Sequence, residues 1–326
     1  MALAEVLDER YEKIRAIVPP AEWEIQRPQL QRILELKAER NAVILAHTYQ
    51  SAPIYHVLAD ITGDSLQLAR EATQVEEPVI VMCGVKFMAE TAKILNPEKT
   101  VLLPDLRAGC SMANSITGED VRRLKAEYPD VPVVSYVNTN ADVKAETDVC
   151  CTSSNAVQVV ASLGVNRVIF LPDPYLGKWV KSQLPDVDLI LWDGPCEVHV
   201  RFTGAEIREL KNRYPGIHVM VHPECPEDVI AEADYTGSTS GMIRHIGAKG
   251  LKQIALITEC SMSDNVTAMY PGLEVVRPCN LCPHMQRITL GSIVESLEKM
   301  QHAIEIDEDV RVRAKHSLDR MLEVRI

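Results

Sequence analysis

The sequence predicts an α/β protein made of three small domains with parallel sheets in a pseudo-threefold arrangement. Three observations carry that prediction: a helix-forming segment recurs at domain-sized spacing, a short β-branched run follows each copy, and strand and helix candidates alternate from there on.

The recurring segment comes first. Residues 117–129, beginning at Thr117, reappear as residues 203–215, beginning at Thr203, an offset of 203 − 117 = 86. A fainter copy at 30–41 puts Lys37 125 − 37 = 88 residues before Lys125. Val121 with Leu124, and Ile207 with Leu210, are spaced to share one helix face, and Thr117 and Thr203 have N-cap chemistry. The runs that follow, at 42–46, 131–135 and 217–221, suit strands buried on both faces of a parallel sheet. Each copy then offers two more strand candidates: 78–82 and 101–103, 168–171 and 189–192, 254–257 and 273–276. Helical stretches such as 87–95, 178–184 and 265–269 separate them, which favours right-handed crossovers. The period exceeds the roughly 20–50 residues of a solenoid repeat, so each copy is a domain.

The chain accordingly divides into an N-terminal helical extension (1–27), three α/β repeats (28–115, 116–200 and 201–290) and C-terminal helices (291–326). Residues 1–18 have an amphipathic helical pattern without the apolar run of a signal peptide, and the extension is expected to pack over a domain junction. Residues 295–326 read as one or two amphipathic helices closing the fold.

Of 326 residues, 34 are Lys or Arg and 46 are Asp or Glu, a formal charge of −12. That balance argues against a nucleic-acid or anionic-membrane surface, both of which need a basic face. At 46% hydrophobic and 25% charged, the chain is expected to be soluble, globular and cytoplasmic, with no membrane span. Any anionic substrate must therefore be held locally.

In open α/β sheets, ligands bind beyond the carboxyl ends of the strands. After the first strand of each repeat stand His47-Thr48-Tyr49-Gln50, Tyr136-Val137-Asn138-Thr139 and His222-Pro223-Glu224-Cys225. A second set, Gly63-Asp64-Ser65-Leu66, Cys151-Thr152-Ser153-Ser154 and Gly237-Ser238-Thr239-Ser240, precedes helical patterns, where hydroxyls and free N–H groups suit carboxylates or a phosphate ester. Ordinary N-capping accounts equally well for any one of these loops alone.

Nine cysteines stand at 83, 110, 150, 151, 196, 225, 260, 279 and 282. Three share the repeat register: 196 − 110 = 86 and 282 − 196 = 86. Each of them follows the last strand of its repeat, so a pseudo-threefold arrangement would bring Cys110, Cys196 and Cys282 together. Converging thiolates suggest a soft metal centre; structural zinc would want a fourth ligand, whereas a [4Fe–4S] cluster on three thiolates keeps one iron open as a Lewis acid. The plain alternative is nine core thiols, which fits Cys83 and Cys150. Cys279 and Cys282 also form a C-x-x-C, which raises the hypothesis of a reversible Cys279–Cys282 disulfide that would expel the metal.

Acid–base candidates are His47, Tyr49, Tyr136, His199, His222 and Glu224. The shared register singles out His47, Tyr136 and His222, and Glu224 is the first choice for general acid or base. His199, three residues after Cys196, could instead donate to a sulfur or to substrate.

The six motifs quoted above at strand ends, together with Cys110-Ser111-Met112-Ala113, Gly194-Pro195-Cys196 with His199, and Cys282-Pro283-His284-Met285, resemble the signature set of the quinolinate synthase A family, which acts in NAD biosynthesis. The resemblance spans residues 47–285 in order and spacing. It implies three homologous three-layer α/β/α domains and a [4Fe–4S] cluster held by Cys110, Cys196 and Cys282. It also implies a transferase reaction: iminoaspartate and dihydroxyacetone phosphate condense to quinolinate, phosphate and two waters. By position, substrate contacts would come from His47, Ser65, Tyr136, Val137, Asn138, Ser153, His199, His222, Pro223, Glu224 and Thr239. Catalysis would fall to Glu224, Tyr49, His222, Tyr136 and His47, with Tyr49 joining Glu224 in proton transfers. Transient contact with the imine-producing enzyme is a further expectation. The residues alone leave other readings open, namely a cluster-dependent hydro-lyase and a cluster-based sensor or electron carrier.

Overall fold

A computed structural model of the chain describes residues 3–324. Among the described residues are three four-stranded sheets, in which every strand pairing is parallel. The first contains β1 (Ala42–His47), β2 (Ile61–Gly63), β3 (Val79–Cys83) and β4 (Thr100–Leu102). The second contains β5 (Val133–Tyr136), β6 (Val149–Cys151), β7 (Arg167–Leu171) and β8 (Asp188–Leu191). The third contains β9 (His218–Val221), β10 (Tyr235–Thr236), β11 (Gln253–Ile257) and β12 (Glu274–Val276). All three share one strand order: β2-β1-β3-β4, β6-β5-β7-β8 and β10-β9-β11-β12.

The sequence pattern located three strands per repeat, and the structure adds a fourth. The additions β2, β6 and β10 are edge strands of two or three residues, too short to show any periodicity. An aspartate ties each of them to the middle of its sheet. Asp60, Asp148 and Asp234, each immediately before its edge strand, accept the backbone N–H of Ile44, Val133 and Val219 at 2.8, 2.7 and 2.8 Å.

The recurring segments are helices, Gly118–Glu127 and Gly204–Arg213, each closed by a capping box from Thr117 or Thr203. Their first residues are glycine for a steric reason: a Cβ would lie 2.8 Å from the carbonyl oxygen of Asp142 and 2.5 Å from that of Asp228. The register continues into the tail. Thr289, 289 − 203 = 86 residues on, forms a third capping box and starts the helix Leu290–Lys299. The tail helices thus begin five residues before the expected 295, because the cap at Thr289 supplies the helix start. The second tail helix, Glu308–Glu323, lies on β6 and the helix Ala141–Ala145, burying Ala314, Leu318 and Met321.

The helix Leu290–Lys299 packs against the helix Pro20–Glu39, which passes through Pro28 without interruption. The amphipathic N-terminal segment is the helix Leu3–Ile14, resting on the turn Pro53–Leu58 of the first repeat and on the helix Ser261–Met269 of the third. No helix among the described residues is long and apolar enough to cross a membrane.

In each sheet the chain leaves the inner strand for the edge and returns to the opposite side. The reversal opens a crevice at the carboxyl ends of β1 and β3, β5 and β7, and β9 and β11. Strand β1 is buried along its whole length, so its side chains are screened from water on both faces.

Candidate active site

The strand ends of different repeats meet. Tyr136, the last residue of β5, donates its hydroxyl proton to Glu224 Oε1 at 2.6 Å. Glu224 follows β9, so this bond joins the second repeat to the third. The other carboxylate oxygen lies 2.8 Å from Nδ1 of His199, which is also 3.1 Å from the Cys196 sulfur. His199 stacks on His222 with ring centroids 4.7 Å apart, and His47 meets Tyr49 edge-on at the same 4.7 Å. All of these side chains but Tyr49 are buried.

Burial sets their charge. It lowers His47 to about 4 and His222 to about 3, so both imidazoles are neutral near pH 7. Burial also pushes the Tyr49 and Tyr136 phenols well above their usual value, and the Glu224 carboxylate adds to both shifts. Burial acts to raise Glu224 too, but the His222 and His199 imidazoles and the Tyr136 hydroxyl outweigh it and hold the carboxyl low. The arrangement is one ionised carboxylate that accepts from Tyr136 on one oxygen and faces His199 with the other.

The second set of loops also converges. Ser154 Oγ donates to Asp64 Oδ2 at 2.6 Å and lies 2.7 Å from Ser238 Oγ, so each repeat contributes one residue to a single contact. Asp64 and Ser238 are the N-caps of the helices Ser65–Ala72 and Thr239–Lys249. Among the described residues, Asn138 Oδ1 and Thr239 Oγ1 are buried polar atoms with no hydrogen-bond partner. Such atoms are costly unless something polar reaches them, and here that would be a ligand. Ser65 and Ser153 are half-buried in the same loops, while Val137 and Pro223 are buried beside Tyr136 and Glu224.

Cys110, Cys196 and Cys282 line one cavity together with Tyr49, His199, Glu224 and Glu259. Each thiol sits at the start of a helical turn. Asn114, Gln286 and Val200 donate their N–H to the carbonyls of Cys110, Cys282 and Cys196 at 3.0, 3.1 and 3.2 Å. Burial pushes the Cys110 thiol up to about 12 and Cys282 to about 11. These thiols would shed their protons only to a strongly positive partner, as a coordinated metal is. Three soft donors facing one cavity, with no fourth cysteine on its wall among the described residues, fit a cluster that keeps one corner open. Cys196, His199 and Glu224 also place one ligand atom each within 4.8 Å of one another. In that group the Nδ1 of His199 is already engaged with the carboxylate.

One cysteine expectation is corrected. Cys279 is bonded to Cys260, not to Cys282, which is a free thiol. The reason lies in backbone pairing: a parallel bridge between Glu259 and Asn280 lays the end of β11 beside residue 279, and Cys260 N donates to Asn280 O at 3.2 Å. Cys282 instead turns toward the cavity.

Three polar residues of the site escaped the sequence analysis. Asp173 accepts the N–H of Cys196, and Glu259 that of Cys282, both at 3.2 Å. Their spacing held the signal, since 259 − 173 = 86 repeats the cysteine register. Thr258, whose hydroxyl touches Tyr49 and His199, has no such signal, because the position one period back is Pro172.

Comparison with known proteins adds to this geometry. The family described as "NadA: Quinolinate synthetase A protein" matches residues 31–323. "Quinolinate synthase 2" of Mesorhizobium japonicum is 56% identical over 314 residues, covering 96% of this chain and 97% of its own. "Quinolinate synthase" of Agrobacterium fabrum is 54% identical, covering 96% of this chain and 91% of its own. "Quinolinate synthase" of Caulobacter vibrioides is 50% identical over 318 residues, covering 96% of this chain and 86% of its own.

Proposed function

Since the chain belongs to the quinolinate synthetase A family, we propose that it is a cytoplasmic quinolinate synthase, condensing iminoaspartate with dihydroxyacetone phosphate to give quinolinate, phosphate and two waters. The observation that best supports this reading is the buried Tyr136–Glu224–His199 linkage, whose Glu224 and His199 stand on the wall of the cavity lined by three cysteines.

Cys110, Cys196 and Cys282 would hold a [4Fe–4S] cluster, whose open iron supplies Lewis acidity for loss of a hydroxyl. The remaining work falls to the chain's own side chains. Both substrates are anionic while the chain carries −12, so binding depends on local donors. The starts of the helices Ser65–Ala72 and Thr239–Lys249 offer unpaired N–H groups, and Ser65, Ser153 and Thr239 add hydroxyls for carboxylate or phosphate oxygens. Asn138 has an unpartnered carbonyl oxygen to accept from the substrate. Neutral His47 and His222 donate or accept one hydrogen bond each without adding charge.

Glu224, ionised at neutral pH, takes a carbon-bound or nitrogen-bound proton from the condensing substrates and returns it to a departing hydroxyl. Tyr136 keeps that carboxylate in place, and Tyr49, held protonated by desolvation, is the second proton donor on the same cavity. Enclosure by Val137, Pro223 and the core beneath them keeps bulk water from the imine, which water would hydrolyse. A short-lived imine also favours transient docking of the enzyme that makes it.

The test is anaerobic reconstitution with iron and sulfide, followed by assay of quinolinate and of phosphate released from dihydroxyacetone phosphate. Both products are expected in equal amounts. Cluster uptake without either product would overturn the reading and leave the hydro-lyase.

A further inference from the structure

Thr258 is fully buried, one residue beyond β11, and its hydroxyl bridges two other parts of the site. Its Oγ1 lies 2.5 Å from the Tyr49 hydroxyl and 2.9 Å from Nε2 of His199. Both partners are site side chains from the other two repeats.

A hydroxyl carries a single proton, so the bridge must have a direction. If Thr258 donated to Tyr49, Nε2 of His199 would carry the imidazole proton. In a neutral imidazole the bare Nδ1 lone pair would then face the Glu224 oxygen 2.8 Å away, acceptor against acceptor, with only the Cys196 thiol at 3.1 Å able to donate to it. In the opposite direction every contact pairs a donor with an acceptor. Tyr49 donates to Thr258, Thr258 donates to Nε2, and Nδ1–H faces Glu224, whose other oxygen receives the Tyr136 proton.

We propose that Thr258 is a positioning residue for the reaction: its hydroxyl holds the Tyr49 phenol in place by accepting its resting hydrogen bond and fixes His199 in the Nδ1–H tautomer that supports Glu224. The repeat makes the role specific to the third domain. The equivalent positions are Pro172 and Gly84, neither of which has a side-chain donor, so only this strand end can join Tyr49 to His199. The consequence for catalysis rests on the quinolinate synthase reading; the consequence for His199 does not.

The test compares Thr258→Val, which keeps the shape and removes the hydroxyl, with Thr258→Ser, which keeps the hydroxyl. In reconstituted full-length enzyme, Thr258→Val should lower kcat by about 10- to 100-fold with KM within about twofold and iron content unchanged. Thr258→Ser should recover kcat to within about threefold of wild type. Wild-type kcat in Thr258→Val, or no recovery in Thr258→Ser, overturns the proposal.

A second measurement is independent of turnover. In the cluster-free full chain labelled with ¹⁵N-histidine, the His199 signals, identified by their loss in His199→Gln, should show Nδ1–H with Nε2 accepting a hydrogen bond. Thr258→Val should remove that hydrogen bond. An Nε2–H tautomer in wild type, or His199 signals unchanged in Thr258→Val, overturns the proposal even if wild type makes no quinolinate. Wild type making none while the His199 signals behave as expected rejects the functional reading and retains the placement of His199.

Discussion

The hydroxyl of Tyr136 sits 2.6 Å from Oε1 of Glu224, so the last residue of an inner strand in the second sheet holds the carboxylate that follows its counterpart in the third. A phenol raised by burial is a donor that keeps its proton, and a carboxylate held low is an acceptor that stays ionised. Glu224→Gln should therefore cut kcat by about 10²- to 10⁴-fold, the range for loss of a general base, while the chain still takes up iron. Tyr136→Phe should cost less, because His199 still supports the other oxygen. Steady-state kinetics on iron-quantified protein measures both, and a Glu224→Gln enzyme with wild-type kcat would remove the carboxylate from the mechanism.

The cysteine assignment makes a sharp division. Cys110→Ala, Cys196→Ala and Cys282→Ala should each lose stable cluster uptake and all activity, since each removes one of three donors on a single cavity. Cys279→Ala should spare most of both. Iron and sulfide analysis after anaerobic reconstitution, with the visible absorption band, reads the outcome; equal loss in all four variants contradicts the ligand set.

The Cys260–Cys279 bond predicts a chemical map. Alkylation of the unfolded, unreduced, cluster-free chain should label seven thiols, with Cys282 among them, and leave 260 and 279 joined in one peptide pair. Cys279→Ser should add Cys260 to the labelled set. Mass spectrometry that finds 279 linked to 282 instead would restore the C-x-x-C pairing.

Thr239 supplies a test of binding without stability. Its hydroxyl is buried and has no hydrogen-bond partner, so Thr239→Val removes an unsatisfied group at nearly equal volume. The melting temperature should stay within about 2 °C of wild type or rise. If the hydroxyl serves an anionic substrate, KM should increase about tenfold. Unchanged KM would show that no substrate reaches it.

His222 gives a pH signature. Burial holds it neutral in the folded chain down to about 3, against an ordinary 6.5. Below pH 6.5 the unfolded chain binds a proton that the folded chain refuses, so this group's contribution is complete above 6.5 and is lost as pH falls toward 3. His222→Asn should accordingly lose less melting temperature than wild type between about pH 6.5 and pH 4. Parallel curves for the two proteins would place His222 in contact with water.

Much of this protein was legible in the order of its residues. The 86-residue period and the β-branched runs identified the inner strands, and the same period picked Cys110, Cys196 and Cys282 from nine cysteines. The polar clusters at strand ends followed because every strand of a parallel sheet points the same way. The edge strands β2, β6 and β10 were not legible, since two or three residues carry no pattern; Asp60, Asp148 and Asp234 help hold them to the inner strands.

What the sequence determined by itself is what repeats along the chain: three α/β units with parallel strands, helices of one spacing with threonine caps, and a cysteine in each copy. What only the tertiary structure decided is everything that crosses between copies. Tyr136 meets Glu224 and Thr258 bridges Tyr49 to His199, and within the third copy it also decided that Cys279 pairs with Cys260. The physical reason is range. Periodicity records local backbone geometry, residue by residue along one chain direction, whereas a hydrogen bond or a disulfide forms only when packing brings two side chains within a few ångström of each other, and chain spacing carries no measure of that distance.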